Sequence, residues 1–307
     1  MDAIDDFALH PDAAVKPSDA VPQSSDDLFD VLQPVPAADV SHVELGSLVE
    51  LDERAYNADQ TAVRKSWLDY IDHSPAHLQA YRAGLMPPTE AMLLGSLLHT
   101  FVLEPHLAGG RFYREPELGN RNSKVVKEQL AALAAENPGR VPIREKQYDA
   151  ALAMREAVYA HPAAKKLLEY DGYFERSIFW NNADTSEKCK ARYDKVAPKG
   201  NFICDVKTTL DASPAEFAKS IVNYRYDCQV SHYTEPTGLR FVFIAVEKSP
   251  PYGVAVYAAG DDTLRLGQRR RLPNLRTYAE CRAKNVWPGY PPVIQRLELP
   301  PWAMRAA

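Results

Sequence analysis

The stretch Cys189–Thr209, CKARYDKVAPKGNFICDVKTT, constrains this chain more than any other. It reads as two β-strands joined by a turn at Pro198, Lys199 and Gly200. The first strand is expected to end near Asp194, and the second starts at Phe202 with short, apolar, β-branched residues. Side chains alternate between the faces of a strand, so Asp205 and Lys207 point the same way. An acid and a lysine on one face of a buried strand are costly unless they do something. Asp194 can sit beside them across the hairpin. Two carboxylates converging with a lysine alongside suit an oxygen-loving divalent cation and an activated water. An isolated Asp-x-Lys tripeptide is more often a solvated edge-strand charge, so the neighbours decide.

A chain of 307 residues holds one large domain or two small ones. Its 46% hydrophobic and 25% charged residues are ordinary for a globular protein. No run of 18 apolar residues occurs, so no membrane span is expected, and the acidic N-terminus lacks the apolar core of a signal peptide. Cys189, Cys204, Cys228 and Cys281 form no Cys-x-x-Cys pair, and a reduced, cytoplasmic setting is the expectation. Charge is unevenly spread. Residues 1–45 hold ten acids and one base, Lys16, a net of −9, which leaves +4 on residues 46–307 out of the chain's total of −5. A mildly basic body permits DNA binding without requiring it.

Residues 1–45 are rich in Asp, Pro, Ala and Ser and are expected to be a disordered acidic tail, with Leu28, Phe29, Val31 and Leu32 as an apolar island. A single domain over 46–307 follows. Tyr56 to Tyr81 is helical in pattern, with Trp67, Leu68 and Ile71 on one face and a restart at Ser74-Pro75, and it closes at Gly84 and Pro87-Pro88. Thr89 to Leu103 is a buried helix in which Gly95 leaves room beside His99, one turn on. His99 is a satisfied core histidine unless the acids converge on it, in which case it is a ligand. Residues 104–170 read as a helical insertion. Its Arg111, Arg114, Arg121, Lys124 and Lys127 form either a DNA-facing patch or a solvated helix face. Tyr173 to Trp180 is a strand with Glu175 and Arg176 on opposite faces, Glu175 being a candidate for the acidic cluster. After the hairpin, Ser213-Pro214-Ala215-Glu216 reads as a capping box. The segment Arg225 to Tyr233 is helical, with Gln229 and Tyr233 on one face. Leu239 to Val246 and Gly253 to Ala258 are strands. A helix from Leu264 is interrupted at Pro273 and continues to Ala283, before an irregular segment from Trp287. The fold class is therefore mixed α/β, a central sheet flanked by helices.

The segments GSLLHTFVLEP (95–105), YFERSIFW (173–180), CKARYDKV (189–196), CDVKTTLDASPAEFAKSI (204–221), YRYDCQVSHY (224–233), FVFIAVEKSPPYGVAVY (241–257) and WPGY (287–290) together resemble the PD-(D/E)XK nuclease superfamily, and within it the nuclease domain of exodeoxyribonuclease VIII, the RecE type of phages and prophages. The resemblance spans roughly residues 56–300 and implies a restriction-endonuclease-like core. It implies metal ligation by His99, Asp194 and Asp205, with Glu175 as a further candidate. It also implies that Lys207 positions the attacking water and helps to deprotonate it, and that Gln229 and Tyr233 line the site near the scissile phosphate. The implied cofactor is Mg²⁺, with Mn²⁺ as a substitute, and no iron–sulfur cluster is expected.

The implied activity is 5′→3′ digestion of linear double-stranded DNA. It leaves 3′ single-stranded overhangs for strand-annealing recombination in a bacterial host. Double-stranded DNA ends, a single-strand annealing protein of the RecT type and a homo-oligomeric ring are the implied partners. An endonuclease of the same fold and a non-catalytic DNA-end-binding scaffold are the alternatives.

Overall fold

A computed structural model of the chain describes residues 46–51, 53–86 and 89–299. The acidic tail and Pro87-Pro88 lie outside the described residues. The first elements are β1 (Val49–Glu50), α1 (Glu53–Ala58), α2 (Lys65–His73), α3 (Pro75–Arg82) and α4 (Glu90–Leu103). The Ser74-Pro75 restart is real, because the Ser74 side chain accepts from the His77 amide at the start of α3. Thr89 caps α4 in the same way, through the Met92 amide.

The insertion follows as α5 (Ala108–Arg111), β2 (Phe112–Glu115), α6 (Lys124–Glu136), β3 (Val141–Arg144), α7 (Glu145–Ala160) and α8 (Pro162–Glu169). It is not wholly helical. β2 and β3 pair in parallel as a separate two-stranded sheet. Each is only four residues long, too short for alternation to be read from sequence, and burial of Phe112, Tyr113 and Ile143 against the helices holds them.

The second half contains β4 (Tyr173–Asn181), β5 (Lys188–Ala197), β6 (Phe202–Thr209), α9 (Pro214–Asn223), α10 (Tyr226–Thr234), β7 (Arg240–Glu247), β8 (Val254–Ala258) and α11 (Asp261–Lys284). The main sheet has the order β1-β4-β5-β6-β7-β8. It is antiparallel except where β6 and β7 run parallel. This mixed sheet is covered on both faces. On one face Cys204, Val206, Val242 and Ile244 pack with Leu98 and Phe101 of α4 and Met154 and Val158 of α7. On the other face Ile203, Phe241, Phe243 and Ala245 pack with Phe217 of α9 and Val230 of α10. Covering both faces explains why β7 reads as a continuous apolar run and why β6 starts as one before Asp205. Among the described residues, no helix is long and apolar enough by itself to cross a membrane.

Two local expectations are corrected. α11 starts at Asp261 and runs through Pro273 without a break. Proline costs a helix interior about 3 kcal/mol, but here both flanking turns are anchored. Arg271 donates to Ser231 Oγ, while Leu275 and Tyr278 are buried with Trp67 and Leu68. The Ser213 capping box does not form: the Ser213 side chain makes no cap bond. Instead the Asp211 carboxylate accepts from the Ser213 amide at 2.7 Å, and Glu216 turns to Lys219.

Candidate active site

The site lies where β5 and β6 part. Their ladder holds at Ala197·Phe202, Val196·Ile203 and Lys195·Cys204 and goes no further. In that register Asp194 and Asp205 would be the next pair. β5 itself continues through Asp194, so this residue lies inside the strand and not at its end. The parting leaves backbone groups of β6 without a strand partner on that side, and buried backbone groups need one. Side chains supply it. Asp194 Oδ2 accepts from the Val206 amide at 2.8 Å, and His99 Nε2 lies 2.6 Å from the Val206 carbonyl oxygen. A carbonyl oxygen only accepts, so Nε2 carries a proton, and Nδ1 faces Asp194 Oδ2, 3.5 Å away. Once Nδ1 carries no proton, its lone pair and the facing carboxylate make a pair of donors suited to one cation.

β4 adds a third donor by a change of face. Phe174 packs in the α4 and α7 core, whereas Ile178, four residues on, lies in the α9 and α10 core. Strict alternation would put both on the same face. Across the ladder Tyr193 and Ala197 differ in the same way. The reversal falls at Glu175 and Asp194, and Glu175 has φ +50°. A non-glycine residue in the left-handed region costs on the order of 1 kcal/mol or more and is kept only where the surroundings impose it. Here it aims Glu175 inward. The ligand atoms of His99, Glu175 and Asp194 lie within 4.8 Å of one another. Arg192 Nε donates to Glu175 Oε2 at 2.5 Å, and Arg192 also donates to the Leu51 carbonyl, which ties β1 to the site.

Asp205 stands beside that triad. Its Oδ1 accepts from the Gln229 side-chain amide. Its Oδ2 is buried and receives no directional hydrogen bond, while the Lys207 ammonium lies 2.5 Å away. Lys207 also lies 5.1 Å from the centre of the Tyr226 ring. Asp205 and Lys207 therefore do share a face, as alternation requires. Gln229 is buried against Asp205, and Tyr233 lines a cavity of about 290 Å³ with His99, Glu175, Arg192 and Asp194. A second cavity of about 450 Å³ reaches His99 and Lys207 from the other side. Gly95 borders it, and nothing lies within 4 Å of where its side chain would begin.

The electrostatics describe a site short of positive charge. Burial, then the neighbouring Asp205, raises the Asp194 pKa well above the usual carboxylate range despite Lys207. Burial and Asp194 push Glu175 up to about 7 against the pull of Arg192 and His99. Burial opposes the charge on Lys207, but Asp205 and Asp194 outweigh it and raise its pKa, so this lysine is an ammonium. Burial also raises the Tyr233 hydroxyl. Carboxylates crowded in a buried pocket are stabilised by a cation. Two carboxylates and one imidazole, with the Asp205 carboxylate beside them, suit a hard divalent ion of the Mg²⁺ or Mn²⁺ type, so the residues present fit the expected group.

All seven candidate residues, His99, Glu175, Asp194, Asp205, Lys207, Gln229 and Tyr233, converge on this region. Asp205 is the one expected ligand outside the three-donor cluster. Arg192 and Tyr226 join the site beyond the residues expected from sequence, and the position of Arg192 two residues before Asp194 on one strand is the signal that could find it. Of the five basic residues of the insertion that read as either a DNA-facing patch or a solvated helix face, four form ion pairs, Arg111 with Glu104, Arg114 with Asp149, Arg121 with Glu115 and Lys124 with Glu128, and Lys127 is exposed.

A twisted mixed sheet carrying an acidic cluster and a lysine where two strands part is the core of the PD-(D/E)XK nuclease fold. Residues 65–297 match the family described as a PDDEXK-like domain of unknown function, DUF3799, and the chain belongs to that family. No curated protein matches the sequence. A crystal structure of a candidate exonuclease from Eubacterium rectale is similar in fold, with a TM-score of 0.52 at 14% identity over 84% of this chain and 98% of the other. A phage-related exonuclease from Haemophilus somnus matches at 13% identity over 75% of this chain and 98% of its own, with a TM-score of 0.29.

Proposed function

We propose that this protein is a divalent-metal-dependent nuclease that digests linear double-stranded DNA from its 5′ ends. The observation that carries the hydrolytic reading is the meeting of the Asp205–Lys207 pair with the His99, Glu175 and Asp194 donors at the point where β5 and β6 separate. A bound Mg²⁺ or Mn²⁺ supplies charge to a phosphate oxygen and lowers the pKa of a water. The protein's own contribution follows from the geometry. His99, Glu175 and Asp194 would hold the ion, with the Asp205 carboxylate beside them. Gln229 fixes the Asp205 carboxylate through Oδ1 and leaves Oδ2 toward the site. Lys207, held as an ammonium, donates hydrogen bonds that orient the attacking water and stabilise charge developing on the phosphate in the transition state. That role differs from proton abstraction, for which an ammonium is unsuited.

Action on DNA ends, the 5′→3′ direction and the product with 3′ overhangs come from the resemblance to exodeoxyribonuclease VIII. So do the phage-type recombination setting, the ring-shaped homo-oligomer and the annealing partner. The exonuclease similar in fold is consistent with that reading. The test is digestion of linear duplex DNA labelled at the 5′ or the 3′ end, with Mg²⁺ or with EDTA, for the wild type and Lys207→Ala. Early release of 5′ label only with Mg²⁺, and only by the wild type, is expected. Linearisation of a circular plasmid would replace the exonuclease with an endonuclease. DNA binding without release from either end would replace both with an end-binding scaffold.

A further inference from the structure

The 450 Å³ cavity beside Lys207 has a rim unlike its floor. The floor carries His99 and Lys207. Met92, Leu210 and Tyr224 line the same cavity, yet they are 58%, 82% and 61% exposed. Large apolar side chains held in water around a polar site serve packing only if something covers them. Tyr224 is also presented deliberately. It sits between α9 and α10 beside Arg225, which has φ +56°. Arg225 is fixed there by Asp69 at 3.1 Å and Asp72 at 2.5 Å, both from α2. This anchored left-handed residue separates Tyr224 from Tyr226. The two rings lie 5.7 Å apart, and Tyr226 lies 5.1 Å from Lys207. Aromatic surface therefore runs outward from the lysine. Cations accompany it: Lys65, paired with Asp69 at 2.8 Å, donates to the Tyr224 carbonyl at 3.3 Å, and Lys248 lines the cavity.

Two aromatic faces with lysines beside them suit the bases and phosphates of a single nucleic-acid strand, even with Asp211 and Glu216 lining the same cavity. Bases inside a duplex are covered by their stacking neighbours and paired along their edges. We propose that Tyr224, with Leu210 and Met92, forms a base-stacking subsite, so that the cleft takes a DNA strand whose terminal bases are already unpaired. This rests on the nuclease reading and narrows its substrate to a frayed or separated end. Tyr224 is a specificity-determining residue, outside the group that acts on the phosphate.

The test uses the full chain in EDTA with a short single-stranded oligonucleotide carrying 2-aminopurine near its end. Stacking on Tyr224 quenches the fluorophore. Tyr224→Ala is expected to lose the quench and to bind about tenfold more weakly, while Tyr224→Phe keeps both. With Mg²⁺, the wild type is expected to digest a duplex with unpaired terminal nucleotides faster than a blunt one, and Tyr224→Ala to be slowed on both. Equal quench and affinity for Tyr224→Ala and the wild type would overturn the subsite, as would a wild type that digests the blunt duplex as fast as the one with unpaired ends. Because Tyr224 is exposed, the Ala and Phe variants fold alike. If the wild type cleaves nothing, the nuclease reading fails and the quench still decides the subsite. If it cleaves without quenching, the subsite fails alone.

Discussion

β5 carries three buried charged residues, and two of them, Lys190 and Asp194, four residues apart, are treated in opposite ways. Lys190 is fully buried, and its ammonium donates to the Tyr56 and Asp59 carbonyls, each at 2.6 Å, and to the Asp59 carboxylate at 3.2 Å. Next to it His232, also fully buried, lies 3.0 Å from the Lys190 carbonyl. Every donor there has an acceptor, and the result is a clamp that binds α1 to the sheet. Asp194 is buried as well, but its neighbours are two more carboxylates. Burial alone does not separate structure from function on this strand. Saturation does: a buried charge whose partners are complete holds the fold, and one left short of opposite charge waits for a ligand.

The largest expected effect tests the unsaturated end. Asp194→Asn keeps an oxygen for the Val206 amide and removes one negative charge. Cleavage of linear DNA is expected to fall about a thousandfold, as for loss of a central transition-state contact. Metal binding measured by calorimetry is expected to vanish. Thermal unfolding of the metal-free protein moves the other way, to a slightly higher midpoint, because carboxylate repulsion is relieved. A lower midpoint would make Asp194 a structural residue like Lys190.

The saturated end gives the next effect. Lys190→Ala leaves the Asp59 carboxylate and two carbonyls without their donor. Stability in chemical denaturation is expected to drop by about 3 kcal/mol, with the remaining folded protein still binding metal. Unchanged stability together with lost activity would move Lys190 into the site and erase the contrast.

A third test uses pH. The Glu175 pKa is raised from its ordinary value to about 7, so its contribution to the stability of the metal-free fold is complete below the unfolded value. It is lost as pH rises through about 7. Metal requires the carboxylate, so affinity runs the opposite way and climbs as pH passes about 7. In Glu175→Gln both slopes are expected to flatten, and affinity at pH 8 to fall about tenfold. Parallel curves for the two proteins would remove Glu175 from the ligand set.

Much of this was legible in the chain. The Pro198–Gly200 turn, the apolar start of β6 and strand alternation were enough to put Asp205 and Lys207 side by side. The Gly95 to His99 spacing was enough to bring an imidazole to an open face. Glu175 was legible only as a candidate, because its direction depends on a left-handed residue that reverses the faces of two strands. No period-2 pattern encodes that reversal. The four-residue strands β2 and β3 and the uninterrupted passage of α11 through Pro273 escaped for a related reason. In each case tertiary packing overrides the local signal, through Phe112 and Ile143 in one and Arg271, Leu275 and Tyr278 in the other.

The smallest effect concerns charge that lies far from saturation's limits in either direction. On α6, Lys124 faces Glu128 at 3.8 Å with both side chains largely exposed, and Lys127 is exposed beside them. Exposed pairs of this kind contribute a few tenths of a kcal/mol and are screened by salt. Lys124→Glu combined with Lys127→Glu is therefore expected to leave stability within about 0.5 kcal/mol of the wild type. The affinity for linear DNA and its salt slope are expected to hold as well, since neither lysine would neutralise a phosphate. A salt slope reduced by about two would mean that both lysines do meet the backbone. The DNA path would then run from the cleft across the insertion, and the ion pairs seen there would be resting partners exchanged for phosphates on binding.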